Sequence, residues 1–286
     1  MGRYVAAMDI VYLDGEYLPH DEAFVSVDDR GFLLGDACYE ATATYHGRCA
    51  FLDRHLARLA DGLAAIRIEF DVAALVPVHE ELIRRNRLAD AELAMIYVQV
   101  TRGVAPRSHA FPIDAITPTV YAATKTLSAS TTAFDRGTSA ITHPDLRWLL
   151  PRIKATGLLA NVLAQQAATE AGVTDVVLHR DGVVTEGAHN NIFIVDDNRL
   201  ITAPADDLIL AGVTRAVVID LARAAGISVD ERRIELDELF AADEVFFTGT
   251  TTEIRPTVTI DNHPIGSGRP GPVTRRVRSL YTAALE

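Results

Sequence analysis

Apolar residues recur along this chain with two periods, and the switches between them outline its elements. Val11–Tyr17 alternates about Asp14-Gly15 and predicts a hairpin; Tyr39–Tyr45 and Cys49–Phe51 predict two strands about His46-Gly47. From about Asp53 the period lengthens: Leu56, Leu59, Leu63 and Ile66 fall on one helical face, with Arg58 at its polar border. Val72–Arg87 predicts a second helix and Ala94–Thr101 a strand. Between Phe111 and Ser130, Pro112, Pro118 and a Thr/Ser-rich stretch suggest a connection between domains, crossed by a strand at Thr119–Thr124. In the second half, Ala155–Ala171 predicts a helix stopped by Gly172. Strands follow at Asp175–His179 and Val183–Glu186 around Asp181-Gly182, then at Asn191–Val195, Leu200–Thr202 and Glu244–Thr248. Helices are expected at Val213–Ala225 and Arg275–Leu285. The pattern is α+β, with one domain over residues 1–124 and a second over 125–286.

Composition narrows the classes. Of 286 residues, 49% are hydrophobic and 23% charged, the profile of a folded chain with one large domain or two ordinary ones. No stretch is long and apolar enough to span a bilayer, and Met1–Ile10 carries Arg3 and Asp9 with no apolar signal core. A cytoplasmic protein without a membrane partner is expected. The net charge of -12 disfavours nucleic acid. Cys38 and Cys49 lack metal-ligand spacing, so free thiols and no metal are expected.

One count changes the picture further. Of 27 basic residues, 25 are arginines and only Lys125 and Lys154 are lysines. A high-GC codon bias alone removes lysine wherever arginine serves as well. The lysines that remain are then enriched for work arginine cannot do, because only lysine can shed its proton and attack a carbonyl. Lys154 ends the largely apolar run Trp148–Ile153. Glu186 closes a strand; a carboxylate beside a pyridine nitrogen would keep it protonated and make the ring an electron sink. Gly212-Val213-Thr214 opens a helix, where free N–H groups favour an anion. Gly249-Thr250-Thr251-Thr252 offers close backbone approach and hydroxyls, and Arg58 an opposing charge. Arg107 and His109 lie in a loop after a strand and suit a carboxylate. Taken singly, each has an ordinary structural explanation: a solvated charge, a helix cap or a basic turn.

Their order is more telling. Asp29-Arg30-Gly31-Phe32, Gly35-Asp36, Tyr39-Glu40, His55-Leu56-Ala57-Arg58-Leu59, Gln99-Val100-Thr101-Arg102-Gly103 and Pro106-Arg107-Ser108-His109 come first. Ile153-Lys154, Thr185-Glu186-Gly187, Asn191-Ile192-Phe193, Leu210-Ala211-Gly212-Val213-Thr214-Arg215 and Thr248-Gly249-Thr250-Thr251-Thr252-Glu253 follow. From about Tyr12 to the closing helix, the chain resembles the fold-type IV, or class IV, aminotransferases that use pyridoxal 5'-phosphate, and among them the D-amino-acid transaminases. The resemblance implies a small N-terminal α/β domain, a larger C-terminal pseudo-barrel domain, and a homodimer whose active site a partner loop completes. It implies that Lys154 is the Schiff-base lysine and proton shuttle and that Glu186 partners the pyridine nitrogen. It makes Arg58, Val213, Thr214 and Thr250 phosphate-binding positions, Gly249 a cofactor-binding position, and Leu210 the residue packed on the ring. Tyr39, Arg107 and His109 become the trap for the substrate α-carboxylate.

The implied reaction moves the amino group of a D-amino acid to a 2-oxo acid, 2-oxoglutarate or pyruvate, with ping-pong kinetics. Three departures bear on substrate range and on the fine binding of the cofactor. They are Ala188-His189-Asn190 where small hydroxyl residues are usual, Gly249 where serine is common, and Ala41 where a larger aliphatic is frequent. The alternatives are a branched-chain L-amino-acid or (R)-amine transaminase, a lyase of the same fold acting on 4-amino-4-deoxychorismate, and a non-catalytic cofactor-binding protein.

Overall fold

Two long strands with the same alternation organise the first part of the chain. In the computed structural model, which describes residues 9–127 and 131–285, β3 (Ala37–Tyr45) pairs antiparallel with β5 (Leu93–Thr101), in register from Ala37↔Thr101 to Thr44↔Ala94. Around them β1 (Ile10–Leu13), β2 (Glu16–Pro19), β4 (Arg48–Cys49) and β6 (Val120–Leu127) complete a six-stranded sheet of order β2-β1-β6-β5-β3-β4. A short α1 (Arg30–Leu34) precedes β3. Helices α2 (Leu52–Ala65) and α3 (Leu75–Arg85) bury Leu56, Leu59, Leu63, Leu75, Val78 and Leu82 against Ile96, Val98 and Val100. Each such side chain contributes about 1.5–3 kcal/mol of burial. α2 can lie this close because of Gly62: a Cβ there would sit 3.2 Å from the Cys38 Sγ.

The chain divides into two compact units, Met1–Ala129 with Ile153–Gly157, and Ser130–Arg152 with Leu158–Glu286. Two sequence expectations change accordingly. The 124/125 boundary falls inside β6, which is an interior strand of the first sheet, paired to β1 on one side and β5 on the other. Lys154, expected in the C-terminal domain, lies in a segment that returns to the first unit. The helix expected from Ala155 begins only at Leu159, because residues 154–156 are spent pairing with β3.

The second unit holds a ten-stranded mixed sheet of order β12-β11-β10-β14-β15-β7-β8-β9-β13, with β16 on β15. Its strands are β7 (Thr138–Pro144), β8 (Asp175–Arg180), β9 (Val183–Val184), β10 (Asn191–Asp196), β11 (Arg199–Thr202), β12 (Val229–Glu231), β13 (Ile234–Glu235), β14 (Glu244–Gly249), β15 (Glu253–Ile260) and β16 (His263–Pro264). β10 and β14 read as continuous apolar runs because both faces are covered; Phe193 and Phe246 stack at 5.0 Å between centroids. The helices are α4 (Thr131–Arg136), α5 (Leu159–Glu170), α6 (Val213–Ala224), α7 (Leu236–Ala241) and α8 (Pro272–Ala283). β15 escapes the sequence pattern because Pro256 stands inside it, lacking the N–H a ladder needs. The structure absorbs this with an irregular β7 pairing that starts one residue later, at Thr257. No helix among the described residues is long and apolar enough to cross a membrane.

Candidate active site

In the first unit, β3 sends its side chains alternately to its two faces, and both faces carry chemistry. Cys38, Glu40 and Thr42 are buried on the side covered by α2. His55 and Arg58, three residues apart, share one face of that helix. Both meet Glu40: His55 Nδ1 lies 2.8 Å from Glu40 Oε2, and Arg58 donates from Nε (2.7 Å) and Nη2 (2.8 Å) to the two carboxylate oxygens. Burial opposes the Glu40 charge, but the Arg58 guanidinium and the His55 hydrogen bond outweigh it and hold the carboxyl at about 2. Arg58 is therefore oriented by a carboxylate that stays ionised, and its side chain is only 13% exposed.

On the other face stands Tyr39. Its N–H donates to the Lys154 carbonyl (3.0 Å), and Thr156 N–H donates to the Ala37 carbonyl (3.2 Å). Residues 154–156 thus run beside β3 like a short additional strand. This places Lys154 Nζ 4.2 Å from the centroid of the Tyr39 ring. Behind Tyr39 lies Tyr97, stacked at 5.5 Å, and then Tyr121. Burial pushes both of those phenols up. Arg107 and His109 follow β5 in a loop and are exposed; among the described residues no hydrogen bond or ion pair joins either to Tyr39.

The second unit assembles a different set. Leu178 bonds two consecutive residues opposite it, accepting from Thr185 N–H (2.8 Å) and donating to the Glu186 carbonyl (2.8 Å). Two residues facing one is the arrangement of a β-bulge, which re-aims side chains. Both now point inward. Thr185 Oγ1 donates to Asp145 (3.0 Å), and Glu186 accepts from Arg147 Nη1, from Asn191 Nδ2 (2.8 Å) and from Leu210 N–H (3.1 Å). Asp145 holds Arg147 through Nε (2.9 Å) and Nη2 (2.8 Å). Burial pushes the Glu186 carboxyl above its ordinary range, with Arg147 and the Leu210 N–H pulling against it.

Next to this carboxylate lies an open anion cradle. α6 begins at Gly212 with no side-chain cap, so the first N–H groups of Val213 and Thr214 have no cap acceptor. Gly212 packs so closely on Asn191 that a Cβ there would come within 1.9 Å of Asn191 Oδ1. Thr248, the cross-strand partner of Asn191, has a buried hydroxyl with no hydrogen-bond partner among the described residues. It leads into Gly249 and Thr250. A buried carboxylate, an uncapped helix start and an orphaned hydroxyl fit a flat, phosphate-bearing heteroaromatic such as pyridoxal 5'-phosphate.

The structure thus groups Tyr39, Arg58 and Lys154 in one unit, and Glu186, Leu210, Val213, Thr214, Gly249 and Thr250 in the other. Sequence reasoning assigned no role to Glu40, His55, Asp145, Arg147 or Asn191. His55 and Arg58 at helical spacing opposite an inward strand position gave a signal for Glu40. The Asp145-x-Arg147 pair gave none, because only the bulge at Thr185-Glu186 reveals what it serves. The apolar run before Lys154 also differs from expectation: Trp148, Leu149 and Leu150 are exposed, and only Pro151 and Ile153 are buried.

Known proteins bear on this arrangement. The profile of the family "Amino-transferase class IV" matches residues 37–260. The chain is 41% identical over 271 residues to a D-alanine aminotransferase of Bacillus licheniformis, covering 94% of each. It is 34% identical to the D-alanine aminotransferase of Staphylococcus haemolyticus, over 98% of this chain and 99% of that one. Among solved structures, the Escherichia coli branched-chain amino acid aminotransferase superposes with a TM-score of 0.90 at 27% identity, over 96% of this chain and 94% of that one. A second branched-chain amino acid aminotransferase, from T.th. and solved with pyridoxamine 5'-phosphate, gives 0.89 at 28% identity, over 97% and 94%. Sequence and fold agree, and the chain belongs to the class IV aminotransferases.

Proposed function

We propose that this aminotransferase moves the amino group of a D-amino acid to a 2-oxo acid, 2-oxoglutarate or pyruvate, with pyridoxal 5'-phosphate as cofactor. The observation that carries the reading is Glu186, a fully buried carboxyl beside an uncapped helix start, with Asn191 touching both. Bound pyridoxal phosphate supplies the electron sink that lets an amino group pass from donor to acceptor. Glu186 would keep the ring nitrogen protonated as a carboxylate; burial opposes its charge, and Arg147, Asn191 and the Leu210 N–H favour it. Val213, Thr214 and Thr250 would hold the phosphate, with Gly249 allowing close backbone approach and Leu210 packing on the ring; Arg58, in the first unit, is the further phosphate position. Lys154 would be the residue that holds the cofactor covalently, and its free amine would be the base that takes the proton from the substrate Cα. Tyr39, Arg107 and His109 bind the α-carboxylate.

The stereochemical branch rests on the D-alanine aminotransferases, to which identity reaches 41%, against 27–28% for the branched-chain structures cited. A branched-chain L-amino-acid transaminase is the second reading, favoured by the high TM-scores of those structures. A homodimer is supported by the exposed stripe Leu159, Val162 and Leu163 on α5, spaced for one helical face. Two free thiols, Cys38 and Cys49, suit a reducing cytoplasm.

The test is a steady-state assay of the purified enzyme with D-alanine or L-leucine, each with and without 2-oxoglutarate. Pyruvate released from D-alanine only when 2-oxoglutarate is present supports the proposal. Turnover of L-leucine alone selects the branched-chain reading, and acceptor-independent release of pyruvate contradicts transamination.

A further inference from the structure

Behind the loop that carries Arg107 and His109 lies a buried cluster that neither the cofactor nor the proton chemistry uses. Arg30 is 2% exposed, the bulkiest of the fully buried side chains. Its Nε donates to Asp36 Oδ2 (2.8 Å), and its Nη1 reaches out to the carbonyl of Ser108 (2.7 Å), the residue between Arg107 and His109. Arg102 shares the same aspartate, donating from Nε (2.7 Å) and Nη2 (2.9 Å). It also donates to the carbonyls of Arg67 (2.9 Å) and Ile66 (2.6 Å), and its guanidinium lies 3.7 Å from the centroid of the Phe111 ring.

The backbone tightens the same junction. Arg30 N–H donates to the Gly103 carbonyl (3.0 Å) and Arg102 N–H to the Asp36 carbonyl (3.0 Å), while Asp29 and Val104 form a bridge. Gly103 is required here. Its φ is +108°, and a Cβ would meet the Thr117 carbonyl oxygen at 2.1 Å. The loop is held before Arg107, at Ser108 between the two residues, and at Phe111 after His109. Arg107 and His109 themselves remain exposed. Asp36 also leads directly into β3, three residues before Tyr39. One carboxylate therefore ties the strand bearing Tyr39 to the loop bearing Arg107 and His109.

We propose that Arg30, Asp36 and Arg102 form the frame that positions the substrate-carboxylate loop, so that Arg30 is a specificity-positioning residue acting through Arg107. The inference rests on the reading of Arg107 as part of the carboxylate trap. A buried arginine is a costly way to stabilise a fold, since an apolar side chain of similar volume often does as well. Its planar fork, however, grips Asp36 and an exposed loop carbonyl at once, which lysine or methionine does not.

The experiment compares wild type, Arg30→Met, Arg107→Ala and the double variant, with D-alanine and 2-oxoglutarate, on holoenzyme whose cofactor absorbance confirms loading. The expected result is a KM for D-alanine raised about tenfold to a hundredfold in Arg30→Met with kcat changed by no more than about twofold. Arg30→Met should then cost nothing further in the Arg107→Ala background, because the two act through one contact. An equal cost of Arg30→Met in both backgrounds, or a loss of kcat and cofactor binding with KM unchanged, overturns the frame. Arg107→Ala with an unchanged KM for D-alanine instead defeats the trap reading itself. Should Arg30→Met not fold, Phe111→Ala removes only the half-exposed ring over Arg102. A raised KM there supports the frame, and an unchanged one refutes it.

Discussion

Replacing Glu40 with glutamine tests the electrostatics of the first unit. Glu40 is 1% exposed and accepts from Arg58 twice and from His55 once. Its carboxyl is held at about 2 against an ordinary 4.5. At about 1.4 kcal/mol per pH unit, that depression is worth roughly 3 kcal/mol of folding stability at neutral pH. Glutamine keeps the shape, gives up the charge, and turns one acceptor into a donor facing Arg58. The expected loss is about 3 kcal/mol, or a fall of roughly 6–12 °C in unfolding midpoint for a chain of this size. The pH dependence follows from the direction of the shift. Because the folded value is depressed, the contribution is complete above about 4.5 and fades by about 1.4 kcal/mol per unit as pH drops toward 2. Urea unfolding of wild type and Glu40→Gln at pH 7, 4.5 and 3.5 measures it: the gap should be full at pH 7 and clearly smaller at pH 3.5. A gap below about 1 kcal/mol at pH 7, or one that does not narrow with acid, refutes the reasoning.

Three further predictions concern chemistry and binding. Lys154→Ala should retain pyridoxal phosphate through the phosphate contacts and lose turnover by roughly three orders of magnitude or more; near-normal transaminase rates would remove Lys154 from its role. Arg107→Ala should raise KM for D-alanine by about tenfold or more while sparing (R)-1-phenylethylamine, which has no carboxylate to bind. Equal losses on both would show that Arg107 is not the trap. Gly212→Ala drives a Cβ to within 1.9 Å of Asn191 Oδ1 unless the amide moves, and so displaces the side chain that binds Glu186. Cofactor affinity should fall by about tenfold in equilibrium dialysis, and an unchanged affinity would mean that Asn191 does not support the site.

Much of this was readable in the chain because local pattern and tertiary packing agree. The Asp14-Gly15 and Asp181-Gly182 hairpins, the α2 stripe and the apolar β10 and β14 all follow from turn chemistry and periodicity. What escaped was non-local. Residues 154–156 pair with β3, more than a hundred positions away, and nothing near Lys154 announces that; helix propensity wins on paper and strand pairing wins in the fold. β6 looked like a connector because prolines precede it, although it pairs on both sides. The partners of Glu186 depend on a bulge that no local residue type requires, so Arg147 and Asn191 went unassigned. Lys154 stood out because only two lysines survive among 27 basic residues, whereas Glu186 gained its role only from the order of motifs around it.

Cofactor attachment at Lys154 and its use on D-amino acids can be tested together. The most direct measurement is the visible spectrum of the purified protein during addition of D-alanine and, separately, L-leucine. D-alanine should bleach the band of the lysine-bound cofactor, 2-oxoglutarate should restore it, and L-leucine should leave it unchanged. A band bleached by L-leucine and not by D-alanine, or one that neither amino acid alters, contradicts that expectation.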